Sequence, residues 1–120
     1  MGLMQKHYHH FLPITWYERS WYQRKSPEKW YTDLILNEIL SGARESGIPT
    51  ERIFLRDYAI SPCIGCEKCR KDLTCTQFHD GMTLLYPKVE EAECLVLGSP
   101  VYNYNVTSFM KSFIDRLSLL

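Results

Sequence analysis

Four cysteines stand close together in "SPCIGCEKCRKDLTC", residues 61–75: Cys63, Cys66, Cys69 and Cys75, spaced C-x2-C-x2-C-x5-C. Thiolates two residues apart can reach one centre from a single loop, because each short step brings the chain back on itself. Three such ligands with a fourth a few residues on suit a cuboidal iron–sulfur cluster. Structural zinc is the rival reading, although four-cysteine zinc sites usually join two separate C-x2-C knuckles across a longer gap. Unliganded core thiols fit poorly with a loop that also carries Gly65, Glu67, Lys68, Arg70 and Lys71. Cys94 differs: it opens the apolar run "CLVLG" and reads as a small core hydrophobe.

A second stretch with chemical potential is "GSPVYNYNVTSF", residues 98–109. Gly98 lets backbone approach closely and Pro100 stiffens a turn. Tyr102 and Tyr104 offer flat amphipathic faces suited to an aromatic ring system. Asn103, Asn105 and Thr107 add hydrogen-bonding groups at the start of the next helix.

These residues need elements to hold them. In "TDLILNEILSGARESG", apolar Leu34, Ile35, Leu36, Ile39, Leu40 and Ala43 recur at helical spacing, with Thr32 or Asp33 as cap and Gly47 as left-handed stop. "RIFLRDY" alternates as a strand, and the cysteines follow in a loop between Pro62 and Gly81. "HDGMTLLYPKVEEAE" reads as helical, capped by Asp80. Pro87 lacks an amide hydrogen, so the expectation is a preliminary turn and then a helix starting near Pro87. "CLVLG" reads as a strand buried on both faces. Val106, Phe109, Met110, Phe113, Ile114 and Leu117 give a final helix one apolar face. Helix, strand, loop, helix, strand, helix is an α/β order, with parallel strands and right-handed crossovers. At the C-terminal ends of such strands doubly wound sheets bind their ligands, and the tyrosine loop is expected there.

The totals bound the function. The chain's 120 residues make one domain, and an apolar fraction of 45% can supply its core. Fourteen basic and fourteen acidic residues cancel, so no basic field points to nucleic acid or to a membrane surface. No apolar stretch is long enough to span a bilayer, and the N-terminus lacks the apolar core of a signal peptide. A cytoplasmic location is expected, in which cysteines serve as ligands or free thiols rather than as disulfides.

"PCIGCEKCRKDLTC", "DGM", "LYPKVEEAECLVLGSPVY" and "NVTSFMKSFIDR" resemble the iron–sulfur flavoprotein branch of the flavodoxin-like, NAD(P)H-dependent FMN reductase family. The similarity covers roughly Thr32 to Arg116. It implies a doubly wound parallel sheet in the order 2-1-3-4-5, with FMN at the carboxyl edge. It also implies a 4Fe-4S cluster on Cys63, Cys66, Cys69 and Cys75, and Pro100, Val101, Tyr102 and Asn105 along the flavin ring. The implied activity is FMN-dependent oxidoreduction and electron transfer in a homo-oligomer, with NADH, NADPH or ferredoxin as donor. A zinc-stabilised binding module, or the non-functional product of a damaged gene, is the alternative. Asp115 and Arg116 match a family helix but read as a salt-bridged surface pair.

Two departures from the family stand out. A first strand and a glycine-rich phosphate loop are expected where the chain has "WYERSWYQRKSPEKWYTD"; only Ser26, Pro27, Lys29 and Thr32 echo that loop. The chain also stops at "DRLSLL", where the family continues with two more strands. The sheet is therefore expected to be incomplete, its first strand degraded or missing and its last two absent. "RIFLRDY" and "CLVLG" would then lack the neighbour they need, making a marginal fold.

The genetic code offers a reason for the first departure. Trp16, Trp21 and Trp30 each precede tyrosine, and TGG-TAT or TGG-TAC read one base later gives glycine. Suitable codons for Arg19, Ser20, Arg24 and Ser26 let the shifted frame read G-M-K-G-V-G-I-K-G-K-V-R-K-N-G-T, with its glycines at family spacing. Residues 1–31 are accordingly read as a divergent or out-of-frame segment, and 32–120 as a partial flavodoxin-like domain with its cluster loop at 61–79. His7, His9 and His10 then read as an incidental polar tail.

Overall fold

A computed structural model describes residues 31–117 and, by their backbone, residues 14–17. The elements run β1 (Ile14–Tyr17), α1 (Tyr31–Glu45), β2 (Glu51–Phe54), a 3-10 turn (Leu55–Asp57), α2 (Cys69–Asp72), α3 (Met82–Glu91), β3 (Leu95–Gly98) and α4 (Ser108–Arg116). The class is α/β, as expected. The three strands form one parallel sheet in the order β2-β1-β3.

That order corrects the expectation of a missing first strand. Ile14–Tyr17 fills the central place, with Trp16 opposite Ile53 on one side and Leu97 on the other. "ITWY" is β-branched and aromatic, which suits a strand, but four residues make a weak signal from the sequence alone. β2 and β3 therefore have their neighbour, and neither is left unpaired, contrary to expectation. Ser26, Lys29, the histidines at 7, 9 and 10 and most of the 1–31 segment lie outside the described residues.

Helix α1 begins at Tyr31, so Thr32 and Asp33 sit inside its first turn rather than capping it. Asp33 pairs instead with Arg52 of β2, and Arg52 also donates to Asn37 at 2.7 Å. The helix stops as expected. Gly47 has φ +77, and the amides of Gly47 and Ile48 return to the carbonyls of Arg44 and Ala43 at 2.9 and 3.0 Å. Only part of the expected apolar face is buried: Leu36 and Leu40 are covered, whereas Ile35 and Ile39 are exposed.

Strand alternation decides which face each helix covers. Arg52 points toward α1, while its neighbour Ile53 joins a core made with Leu55, Met82, Leu85, Val89, Met110 and Phe113. Thus α1 covers one face of the sheet, and α3 with α4 covers the other. Proline does not interrupt α3, contrary to expectation: the helix runs through Pro87. Met82 and Leu85 before it and Val89 after it are all buried along one face, holding both halves to the core. The carbonyl that Pro87 leaves without its amide belongs to Thr83, which is exposed and can take water.

Strand β3 is less enclosed than a strand buried on both faces. Leu97 is exposed, and Cys94 lies before the strand and is exposed too. The reading of Cys94 as a core hydrophobe is therefore corrected; the apolar run enters the sheet one residue later. Among the described residues, no helix is long and apolar enough to cross a membrane.

Candidate functional site

Because the strands are parallel, the segments that follow β2 and β3 leave the same edge of the sheet. The segment after β2 carries the cysteines. Its two ends meet: Gly81 N–H donates to the Ala59 carbonyl at 2.7 Å, and Ser61 N–H donates to Asp80 Oδ2 at 2.8 Å. Gly81 is required by close approach, not by its φ. A Cβ there would lie 2.7 Å from the Tyr58 Cβ and 2.9 Å from the Ala59 carbonyl oxygen.

Within this neck the chain reverses repeatedly. Gly65, Glu67 and Leu73 take positive φ, and Cys69–Asp72 forms a single helical turn where an irregular loop was expected. Gly65, at φ +65, aims its N–H at the Cys63 sulfur, 3.4 Å away. Cys63, Cys66, Cys69 and Cys75 all line one recess, together with Phe78, Tyr86 and Arg116. All four are free thiols, two exposed and two half-buried. Among the described residues, no three His, Cys, Asp or Glu side chains converge as a preformed metal site. Four sulfur donors on one recess, one of them already receiving a backbone N–H, nonetheless fit an iron–sulfur cluster, whose properties depend on hydrogen bonds to its sulfurs.

Arg116 was not legible as part of this site. It is not on the surface and does not pair with Asp115: its relative exposure is 3%, and Asp115 pairs with Lys111 instead. The guanidinium donates to the Ser61 carbonyl at 2.8 Å and to both Asp80 oxygens at 2.9 and 3.3 Å, and it stacks 4.9 Å from the Phe78 ring. Its own carbonyl accepts from the Tyr86 hydroxyl at 3.0 Å. The cap position of α3 is Gly81 and not Asp80 as expected, although Asp80 Oδ1, one residue earlier, accepts from Met82 N–H at 3.1 Å. Burial alone would raise the Asp80 carboxyl, but Arg116 and the amides of Ser61 and Met82 hold it below its ordinary value. Burial likewise opposes the charge on Arg116, and Asp80 and Tyr86 more than restore it, leaving it above its ordinary value. Burial pushes the Tyr86 phenol up. One signal for Arg116 was available: it falls three residues after Phe113, on the buried stripe, where a charge implies a buried partner.

The segment after β3 is the tyrosine loop. Ser99 Oγ donates to the Pro100 carbonyl at 2.9 Å and accepts from Thr107 N–H at 3.2 Å. Tyr102 and Asn105 exchange both backbone hydrogen bonds, at 2.8 and 3.0 Å, around Asn103 and Tyr104 at φ +46 and +63. Two consecutive positive φ values are those of a tight reversed turn. Asn105 Oδ1 accepts from Val106 N–H at 2.8 Å, and Thr107 Oγ1 caps α4 by accepting from Met110 N–H at 3.3 Å. Backbone needs are thus met internally, while Val101, Tyr102 and Tyr104 present exposed apolar surface. The start of α1 reaches the same place. A Cβ on Gly98 would meet Leu36 Cδ1 at 2.6 Å and Thr32 Cγ2 at 3.2 Å. The structure therefore sets Thr32, in the first turn of α1, against Gly98, the residue from which the tyrosine loop departs. Exposed apolar and aromatic side chains after β3, with the first turn of α1 at the end of that strand, fit a flavin with its phosphate.

Known proteins point the same way. The family described as NADPH-dependent FMN reductase matches residues 26–119. An iron-sulfur flavoprotein of Methanocaldococcus jannaschii is 40% identical over 85 residues, covering 71% of this chain and 44% of the relative. One from Archaeoglobus fulgidus is 40% identical over 91 residues, covering 76% and 44%. One from Methanosarcina thermophila is 31% identical over 86 residues, covering 72% and 44%. The chain spans about half the length of the curated relatives it matches. No solved structure matches it.

Proposed function

This chain belongs to the NADPH-dependent FMN reductase family, and we propose that it supplies the cofactor-binding edge of an FMN-dependent, electron-transferring iron–sulfur oxidoreductase. Cys63, Cys66, Cys69 and Cys75 would hold a 4Fe-4S cluster. Pro100, Val101, Tyr102 and Asn105 would lie along the flavin ring, and Thr32, with Ser26 and Lys29, would stand at its phosphate. FMN takes up electrons in pairs or singly and the cluster singly, so the two together join a two-electron donor to a one-electron chain. The residues themselves bind and orient; no side chain is assigned proton transfer. The full flavodoxin-like order 2-1-3-4-5, a nicotinamide or ferredoxin donor, a cytoplasmic location and a homo-oligomer complete the proposal.

The observation that carries it is the meeting of four cysteines on one recess, in a segment leaving the same sheet edge as the tyrosine loop. Anaerobic loading with ferrous iron and sulfide, followed by visible absorption and iron analysis, tests the cluster. The loaded chain should be brown and bleach with dithionite. Replacing any of the four cysteines by serine should remove most of that absorption, whereas Cys94→Ser should leave it unchanged. A colourless product that binds only zinc would defeat the reading. Titration with FMN, followed by quenching of its fluorescence, tests the flavin side through Tyr102→Ala.

A further inference from the structure

We propose that Arg116 is the positioning residue of the cysteine site: with Asp80 it clasps the neck of the loop and so confines the four thiols to one recess, from which a ligand can gather them. The inference rests on reading those thiols as cluster ligands. Three residues at the two ends of the loop converge on this one side chain. Ser61 enters the loop and gives Arg116 its carbonyl; Asp80 leaves the loop and gives both carboxylate oxygens; Phe78 stacks beneath the guanidinium. Asp80 Oδ2 in turn accepts the Ser61 amide, closing a ring of hydrogen bonds around residues 62–79.

Both charges are nearly sealed from water, with side-chain exposures of 2% and 11%. A buried ion pair adds little net stability compared with apolar packing, so its presence here is better explained by what it specifies. Joining the ends of a long loop removes much of the freedom its cysteines would otherwise have to lose on ligation. The clasp needs a planar fork, since one guanidinium serves a carbonyl and a carboxylate together; a lysine could offer only a compact point charge. Arg116 also lines the recess, and its Nε–H is buried without a hydrogen-bond acceptor among the described residues. That donor belongs to a side chain that shares the recess with the thiols.

The test uses the full chain loaded anaerobically with ferrous iron and sulfide, comparing wild type with Arg116→Met, Arg116→Lys and Asp80→Asn. Two readouts are taken at a temperature where far-UV circular dichroism is the same for all. These are the rate at which EDTA strips the visible absorption, and the electron paramagnetic resonance spectrum after dithionite. Arg116→Met should lose its cluster at least tenfold faster and show shifted or broadened resonances. Arg116→Lys should fall between Arg116→Met and wild type. Should Arg116→Met fail to fold, Arg116→Lys and Asp80→Asn decide by the same two readouts. Wild-type lifetime and an unchanged spectrum in the folded variants would overturn the clasp while leaving the cluster reading intact. A wild type that takes up no iron and sulfide would instead overturn the cluster reading, and the clasp with it.

Discussion

At the residue scale, Asp80 does three jobs with one carboxylate: it receives the first amide of α3, from Met82, receives the Ser61 amide and balances Arg116. Removing one partner of a buried pair strands the other, which typically costs about 3–5 kcal/mol. Asp80→Ala should therefore lower unfolding stability in urea by about that amount. The advantage of wild type over the variant should also depend on pH. The carboxyl is held below its ordinary value in the fold, so its contribution is fully present above the unfolded value of about 4. It should be lost as the pH falls through the lower, folded value. An advantage that persists unchanged at the acid end would contradict this. Arg116 shows why such a residue escapes sequence reading. Beside Asp115 it looks like half of a surface pair, and only the packing of α4 turns it inward.

At the element scale, the helices were legible wherever apolar spacing matched what became buried. Met110 and Phe113 of α4, Leu36 and Leu40 of α1 and the Gly47 stop all follow the pattern. The failures have physical causes. Proline's local preference in α3 loses to the burial of Met82, Leu85 and Val89 on both sides of it, which only the tertiary structure reveals. Pro87→Ala restores an amide for the Thr83 carbonyl and should stabilise the chain, by roughly 1–3 kcal/mol on helix-propensity grounds. A variant that melts lower than wild type would refute this. Gly81→Ala should do the opposite. Its Cβ would press on the Tyr58 Cβ and on the Ala59 backbone, neither of which can swing away. A loss of about 1–3 kcal/mol is expected, as for other overpacked sites. Thermal unfolding of the two variants side by side gives both signs in one experiment.

At the scale of the whole molecule, the sheet stands or falls with β1. Ile14–Tyr17 is hydrogen-bonded on both sides, and four short residues before an atypical segment gave little warning of it. Proline in a central strand removes a ladder bond and clashes with its neighbours. Trp16→Pro should therefore abolish cooperative thermal unfolding, whereas Trp16→Val, which keeps the ladder amide and suits a strand, should leave a cooperative transition. The cysteine pattern and the tyrosine loop were readable because their chemistry is local. The clasp and the central strand depend on residues far apart in the chain. We propose further that residues before about Thr32 are out of frame, so that the shifted reading, which begins at Trp16, would also change the second half of β1; the nucleotide sequence upstream of Thr32 decides. A continuous shifted reading supports it, and a sound frame refutes it.

Helix α4 has its two ends in different neighbourhoods: Thr107 at its cap is tied to the tyrosine loop, and Arg116 at its close is tied to the cysteine loop. Nine helical residues make a strut of about 13–14 Å. Such a strut is a thermodynamic link as well as a spacer. Should a ligand that steadies one end raise the affinity at the other, the reverse effect must be equal in factor. Filling the cysteine recess would then tighten flavin binding by the same factor as flavin tightens the recess.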